Sequence, residues 1–246
     1  MPQRIFAHRG ASGYAPENTL EAFQLATEMG AHGVELDVHL TLDDELVVAH
    51  DETIDRCSNG TGLIREKTLR ELKGYRFHNG LPQFKNAAIP TLGEVFELLR
   101  PTGLLINIEL KNSLIDYPGL EQKCIDLAAR EGILSRILFS SFNHHSLKKI
   151  KAIDPGLYCG LLYECTMIKP WVYAVALEMD ALHPHYSEVL IPGGECAAAH
   201  KAGIDVNPWT VNGEDDLRAV ISAGADGIIT NYPDRALALL TDHGHQ

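Results

Sequence analysis

Arg4–Phe23, RIFAHRGASGYAPENTLEAF, holds a strand, a turn and the start of a helix in close succession. The apolar run Arg4–His8 ends in two cationic side chains, His8 and Arg9, and Gly10 follows at once. In PENTLEAF, Asn18 is spaced to cap a helix with Glu21 reaching back, while Leu20 and Phe23 begin its buried stripe. The stretch reads as one strand–helix unit with a basic strand tip. That tip is either solvated or held at a sheet rim facing something anionic.

The unit recurs along the chain. Apolar, β-rich runs lie at Arg4–His8, Gly33–Leu40, Leu104–Leu110, Arg136–Phe142, Leu157–Leu162, Asp180–His185, Asp205–Val211 and Gly227–Thr230, with helical patterns between most of them. NGEDDLRAVISAGADG opens with acids in its first turn and stops at Gly224, as a helix should. Strands alternating with helices over 246 residues predict an α/β protein, a TIM-type (β/α)8 barrel, with a doubly wound open sheet as the rival. One interval, between the second and third runs, is too long for a single crossover helix. It carries Asp51–Leu63, the helical pattern REKTLRELKG, a turn at His78–Gly80 and a helix in IPTLGEVFELLR. An ordered insertion at about residues 51–88 is therefore expected within a single barrel domain spanning 1–246.

Composition bounds the partners. The chain has 33 acidic and 21 basic side chains, a formal charge of −12, which argues against nucleic acid or an anionic membrane surface as a standing partner. Any phosphate must be met by a local site. The first apolar run breaks at His8, too early for a secretory signal, and nowhere do apolar residues run long enough to span a membrane. Cys57, Cys124, Cys159, Cys165 and Cys196 are scattered and form no C-x-x-C pair, so reduced thiols and a cytoplasmic location are expected.

The chemistry gathers on two strands. In VELDVHL, Glu35 and Asp37 are two apart and share a face, with Val34, Leu36 and Val38 opposite. In INIELK, the same parity groups Asn107, Glu109 and Lys111 against Ile106, Ile108 and Leu110. Carboxylates crowded at the end of core strands repel and are costly to desolvate unless a cation lies between them. An all-oxygen set of Glu35, Asp37 and Glu109 suits Mg2+ or Ca2+ better than a soft metal. His50 closes a second apolar run near these acids, and with His8 it would supply general acid and general base, since imidazole titrates near neutral pH. His39, on the face of Glu35 and Asp37, is expected to pack or to support the acids.

The motifs HRG-x-x-x-x-x-PENT, ELDV, HD-x-T-x-x-R, G-x-G, IPTL-x-E, IELK, SSF, WTVN and DGIITN-x-PD stand in the order seen in the glycerophosphodiester phosphodiesterase family, which the chain resembles over nearly its whole length. The resemblance implies a TIM-type barrel with a small insertion after strand 2. It implies divalent-metal ligands at Glu35, Asp37 and Glu109, an acid/base pair at His8 and His50, phosphate-binding cations at Arg9 and Lys111, and an aromatic beside the glycerol end at Trp209. Many relatives read T-D-x-P-D after the last strand. This chain has Thr230-Asn231-Tyr232-Pro233-Asp234, a departure with no evident catalytic cost at the level of sequence. The implied reaction is metal-dependent hydrolysis of a small-molecule glycerophosphodiester, such as glycerophosphocholine or glycerophosphoethanolamine, to sn-glycerol 3-phosphate and an alcohol. Attack by water and attack by the neighbouring glycerol hydroxyl both remain open, as does the division of labour between the histidines.

Other features have plainer readings. The pair in His183-Pro184-His185 is expected to line the mouth or to serve the structure, and Asn143-His144-His145 to cap and expose a helix start. Trp171 and Tyr173 are expected to pack, and Pro192–Glu195 to form a glycine turn. Two rival functions stand beside the leading one. A lysophospholipase D-like or phospholipase C-like lipid enzyme would want an apolar rim, which the mostly polar Asp51–Phe84 does not offer. A non-catalytic binding barrel would have lost one of the acids, histidines or Lys111, and none is lost.

Overall fold

The computed structural model describes residues 3–191 and 195–243. Eight strands lie side by side and parallel: β8 (Asp205–Val206), β7 (Ala181–Pro184), β6 (Tyr158–Tyr163), β5 (Ile137–Ser141), β4 (Leu105–Leu110), β2 (Gly33–Leu40), β1 (Arg4–His8) and β9 (Gly227–Thr230). The short β3 (Leu46–Val48) pairs antiparallel with the end of β2. The circle is drawn together between the β8 segment and β9 by Asp226 N–H donating to Val206 C=O (2.8 Å), Ile229 N–H to Pro208 C=O (3.0 Å) and Val211 N–H to Ile229 C=O (2.9 Å). This is the expected (β/α)8 barrel, and an open doubly wound sheet would have left those two edges apart.

Around the strands run α1 (Leu20–Glu28), α2 (Leu69–Leu72), α3 (Leu92–Leu99), α4 (Leu120–Arg130), α5 (His144–Ile153), α6 (Pro170–Ala176), α7 (Tyr186–Val189), α8 (Glu195–Lys201), α9 (Glu214–Ser222) and α10 (Pro233–His243). The strand parity works as read. Val34, Leu36, Val38, Ile106, Ile108 and Leu110 all join the main apolar core between barrel and helices, together with Phe23 of α1 and Phe96 of α3. Burying side chains of this size contributes roughly 1.5–3 kcal/mol each, before the conformational entropy of ordering them is counted.

Three local expectations differ from the structure. The cap of α1 is Thr19, whose hydroxyl accepts from Ala22 N–H and donates to Pro16 C=O, and Asn18 is instead turned into the barrel mouth with φ +56°. The run Asp205–Val211 is regular strand only at Asp205–Val206, because Pro208 has no N–H to give to a ladder. REKTLRELKG forms a 3-10 turn at Ile64–Glu66 and then only the short α2, capped by Thr68 and Glu71. Within the long interval, Val47, Ile54, Ile64, Leu72, Phe77 and Ile89 form an apolar cluster of their own. His78–Leu81 closes as a tight turn with Asn79 and Gly80 at positive φ, the signature of a type I′ turn. Pro192–Glu195 and the terminal HGHQ fall outside the described residues, save the backbone of Glu195 and His243.

Candidate active site

Register brings the acids together. Asp37 sits opposite Glu109, and Glu35 opposite Asn107, across the β2–β4 pair. One oxygen from each of Glu35, Asp37 and Glu109 lies within 4.8 Å of the other two. Burial pushes the Glu35 carboxyl well above the usual range, and the charges of Asp37 and Glu109 add to it. Glu109 is raised for the same reasons, by burial and then by Asp37. Asp37 goes the other way: burial opposes ionisation, but Arg9 and Lys111 outweigh it and hold the group well below the usual range. Asp37 Oδ1 is buried with no hydrogen-bond partner. A crowded all-oxygen cluster with an orphaned carboxylate oxygen fits a hard divalent cation.

The basic strand tip faces this cluster. Arg9 adopts φ +55° at the end of β1, which lets its N–H donate to Glu35 Oε2 (3.0 Å) and its Nη1 to Glu17 Oε1 (2.8 Å). Its Nε lies 3.3 Å from Asp37 Oδ2. Gly10 makes this turn possible. It has φ +78°, and a Cβ there would sit 2.6 Å from the carbonyl carbon of Ala22 in α1. Lys111 Nζ donates to Glu109 Oε1 (2.8 Å) and lies 3.8 Å from Asp37 Oδ1.

Both histidines are oriented through Nδ1. His8 Nδ1 donates to Asn231 Oδ1 (2.6 Å), and His50 Nδ1 donates to Asp51 Oδ1 (2.7 Å). In each neutral ring Nε2 is left as the unprotonated nitrogen, able to accept a proton, and that of His8 is 3.9 Å from Glu35 Oε2. Burial, and secondarily the charge on Arg9, lowers the His8 pKa to about 3. His39, fully buried, donates from Nε2 to the carbonyl of His50 (3.2 Å) while Nδ1 accepts from the Tyr117 hydroxyl (3.1 Å). It supports the acid-bearing strand end by holding the backbone of His50.

His8, Arg9, Glu35, His50, Glu109 and Trp209 line one pocket, and Asp37 and Lys111 adjoin it through Arg9 and Glu109. Phe142 and Leu162 make its apolar side. The Trp209 indole is fixed by donating to His183 C=O (2.8 Å) and by edge contacts with Phe142 and His185, each at 5.5 Å between centroids. His183 is buried inside the barrel, where Nε2 accepts from Asn207 Nδ2 (2.9 Å), and His185 caps α7. Asn143 does not cap α5 with its side chain. It donates instead to the carbonyl of Asn112 (3.1 Å), and His144 bridges Leu162 C=O and the Tyr173 hydroxyl. Trp171 packs on the main core as expected, whereas Tyr173 lies outside that core, 39% exposed and against His144.

Several site residues were missed by the sequence reading. Asn18 Nδ2 donates to Asp37 Oδ2 (2.8 Å), and Asn231 is the partner of His8. Its departure from the motif after the last strand was the available signal, and the structure places that departure against a site histidine. Buried Asn107 Oδ1 and Ser140 Oγ face the pocket without partners. Among the described residues, no helix is long and apolar enough to cross a membrane.

Comparison with known proteins agrees with this geometry. The model of the glycerophosphoryl diester phosphodiesterase family matches residues 8–235. A glycerophosphodiester phosphodiesterase of Caldanaerobacter subterraneus subsp. tengcongensis is 43% identical over 248 residues, covering 99% of this chain and 100% of the relative. The structure of an Oleispira antarctica phosphodiesterase in complex with the product sn-glycerol-3-phosphate superposes with a TM-score of 0.84 at 31% identity, covering 98% of this chain and 97% of that one. A glycerophosphodiester phosphodiesterase from Thermotoga maritima gives a TM-score of 0.80 at 30% identity, with 96% and 98% covered. The chain belongs to the glycerophosphoryl diester phosphodiesterase family.

Proposed function

We propose that this chain hydrolyses water-soluble glycerophosphodiesters, glycerophosphocholine and glycerophosphoethanolamine among them, to sn-glycerol 3-phosphate and the free alcohol. The observation that carries the reading is the pocket in which two histidines with anchored Nδ1 atoms meet three clustered carboxylates and Arg9. The product bound by the Oleispira antarctica relative supports the glycerol phosphate half of the substrate. We read the whole chain as one barrel domain, with the insertion at about residues 51–88 contributing to the mouth. The free cysteines accord with a reducing, cytoplasmic setting.

Glu35, Asp37 and Glu109 would hold one Mg2+ or Ca2+, which would supply positive charge to offset that of the phosphate in the transition state. Arg9 and Lys111 bind the same phosphate and stabilise the charge that redistributes in the transition state. One histidine takes a proton at Nε2 from the attacking oxygen, which is either water or the adjacent glycerol hydroxyl, and in the second case water then opens the cyclic phosphate to glycerol 3-phosphate. The other gives its Nε2 proton to the departing alcohol, and each transfer is worth roughly 10²–10⁴-fold. Asn231 and Asp51 keep Nδ1 engaged so that Nε2 does this work. Trp209 and Phe142 bound the pocket against the carbon skeleton of the substrate.

A second reading, an amphiphilic diester, draws on the exposed Leu114, Phe142 and Ile168, which lie in segments following β4, β5 and β6. The leading reading predicts release of glycerol 3-phosphate from glycerophosphocholine by the purified protein with Mg2+ or Ca2+ and none in EDTA. Release only from lysophosphatidylcholine would move the assignment to the second reading. No turnover of either, with intact circular dichroism, would leave a binding barrel.

A further inference from the structure

Arg56 stands in the insertion, outside the pocket lining, yet it completes a chain of ion pairs between two pocket groups. Its Nε and Nη2 donate to Asp51 Oδ2 and Oδ1 at 2.7 and 3.0 Å. Its Nη1 and Nη2 donate to Glu17 Oε2 and Oε1 at 2.7 and 2.8 Å. Asp51 in turn accepts from His50 Nδ1 at 2.7 Å, and Glu17 accepts from Arg9 Nη1 at 2.8 Å. One guanidinium therefore engages two carboxylates by both oxygens, and each carboxylate holds a different group at the mouth.

A purely structural clip is a poor account of this arrangement. The Arg56 side chain is 44% exposed, where a single ion pair contributes only about 0–1 kcal/mol. The insertion already has its own apolar cluster, built on Ile54, Ile64, Leu72 and Phe77. What the fork provides is direction. A planar guanidinium fixes the plane of each carboxylate it grips in two places, which a lysine ammonium cannot do for both at once. Asp51 gripped in this way presents Oδ1 to His50, and Glu17 presents Oε1 to Arg9.

We infer that Arg56 is a positioning residue of the phosphodiesterase site, setting the tautomer and rotamer of His50 through Asp51 and the aim of Arg9 through Glu17. This rests on the function proposed above. Without the fork, the Asp51 and Glu17 carboxylates repel across the space it filled, and the partly exposed His50 ring is free to turn or to move its proton to Nε2. A ring with the wrong tautomer cannot take a proton where the reaction needs it.

Two measurements test it on the full-length protein. The first reads the ring nitrogens of His50 by NMR of 15N-histidine-labelled wild type and Arg56→Gln at pH 8. Wild type is expected to carry its proton at Nδ1, and the variant to shift toward Nε2. The second is glycerophosphocholine hydrolysis with Mg2+ by Arg56→Gln, Arg56→Ala and Arg56→Lys. The Gln and Ala variants are expected to lose roughly 10–100-fold in kcat with Tm nearly unchanged. Millimolar guanidinium should restore part of the activity to R56A but not to R56K. Unchanged His50 nitrogen signals, wild-type kcat and KM in R56Q, or a kcat loss that tracks a fall in Tm and resists guanidinium would each overturn the inference. A wild type that cleaves no diester would defeat the proposed function, and the NMR comparison would still judge the positioning.

Discussion

His8 and Asn231 are joined by a 2.6 Å hydrogen bond from Nδ1 to Oδ1, tying the tip of the first barrel strand to the residue after the last. Asn231 is itself fixed by its N–H donating to Asn212 Oδ1 at 2.9 Å. The pairing extends the parallel ladder between β1 and β9, so His8 is aimed correctly only once the last strand has docked beside the first. Asn231→Leu is therefore expected to fold, and to lose roughly 10–100-fold in kcat by freeing the His8 tautomer. Asn231→Asp keeps an acceptor at the same place and should retain most activity. Steady-state kinetics on both variants check this, and equal losses would show that acceptance by residue 231 is not what matters.

The crowded carboxylates give a prediction of opposite sign to the usual core mutation. The folded-state pKa of Glu35 is raised by burial, Asp37 and Glu109. A raised group contributes stability below its unfolded pKa and loses it as pH rises above that value. At pH 8 in EDTA, Glu35→Gln should therefore stabilise the protein, by about 1–2 kcal/mol in urea unfolding. Mg2+ at a hundred times its Kd should add about 2.7 kcal/mol to the wild type and much less to the variant. A variant less stable than wild type in EDTA would mean that the cluster is satisfied by the protein alone.

His183 predicts the acid side of the stability profile. Burial lowers its pKa to about 3, and Asn207 donates to the nitrogen that a proton would need. Here the folded pKa lies below the unfolded value, so the neutral ring contributes stability that is complete above about pH 6.5 and lost as pH falls toward 3. Between pH 7 and pH 5 the wild type should lose about 2 kcal/mol more than His183→Gln. Parallel losses in chemical denaturation would show that the ring is hydrated or charged in the fold.

Gly10 predicts a backbone effect. Its φ of +78° and the 2.6 Å approach of a Cβ to the Ala22 backbone leave no room for a side chain. Gly10→Ala should cost about 2–4 kcal/mol, read as a fall in Tm, and should weaken activity by moving Arg9. A variant with unchanged Tm would show that the loop yields easily toward α1.

Much of the fold and the centre of the site were legible in the chain because they depend on local periodicity. Alternation along VELDVHL and INIELK put Glu35 with Asp37 and Glu109 with Lys111, since side chains two apart on a strand must share a face. The repeated strand–helix rhythm made the barrel readable for the same reason. Local pattern misled where a tertiary partner competed for the residue. Asn18 has the spacing of a cap, but Asp37 offered its amide a buried, charged acceptor, and Thr19 took the cap instead. Asp205–Val211 reads as strand from its ends, yet Pro208 withholds a ladder donor.

By itself, then, the sequence determined which residues share a strand face, how strands and helices alternate along the chain, and which titratable side chains gather on those strand faces. Tertiary structure decided who meets whom. The register of β2 on β4 set Asp37 against Glu109, the docking of β9 beside β1 set Asn231 against His8, and the folded insertion brought Arg56 to Glu17. Those pairings join residues far apart in the chain, and no periodic pattern encodes a contact between segments whose relative placement is chosen by packing of the whole.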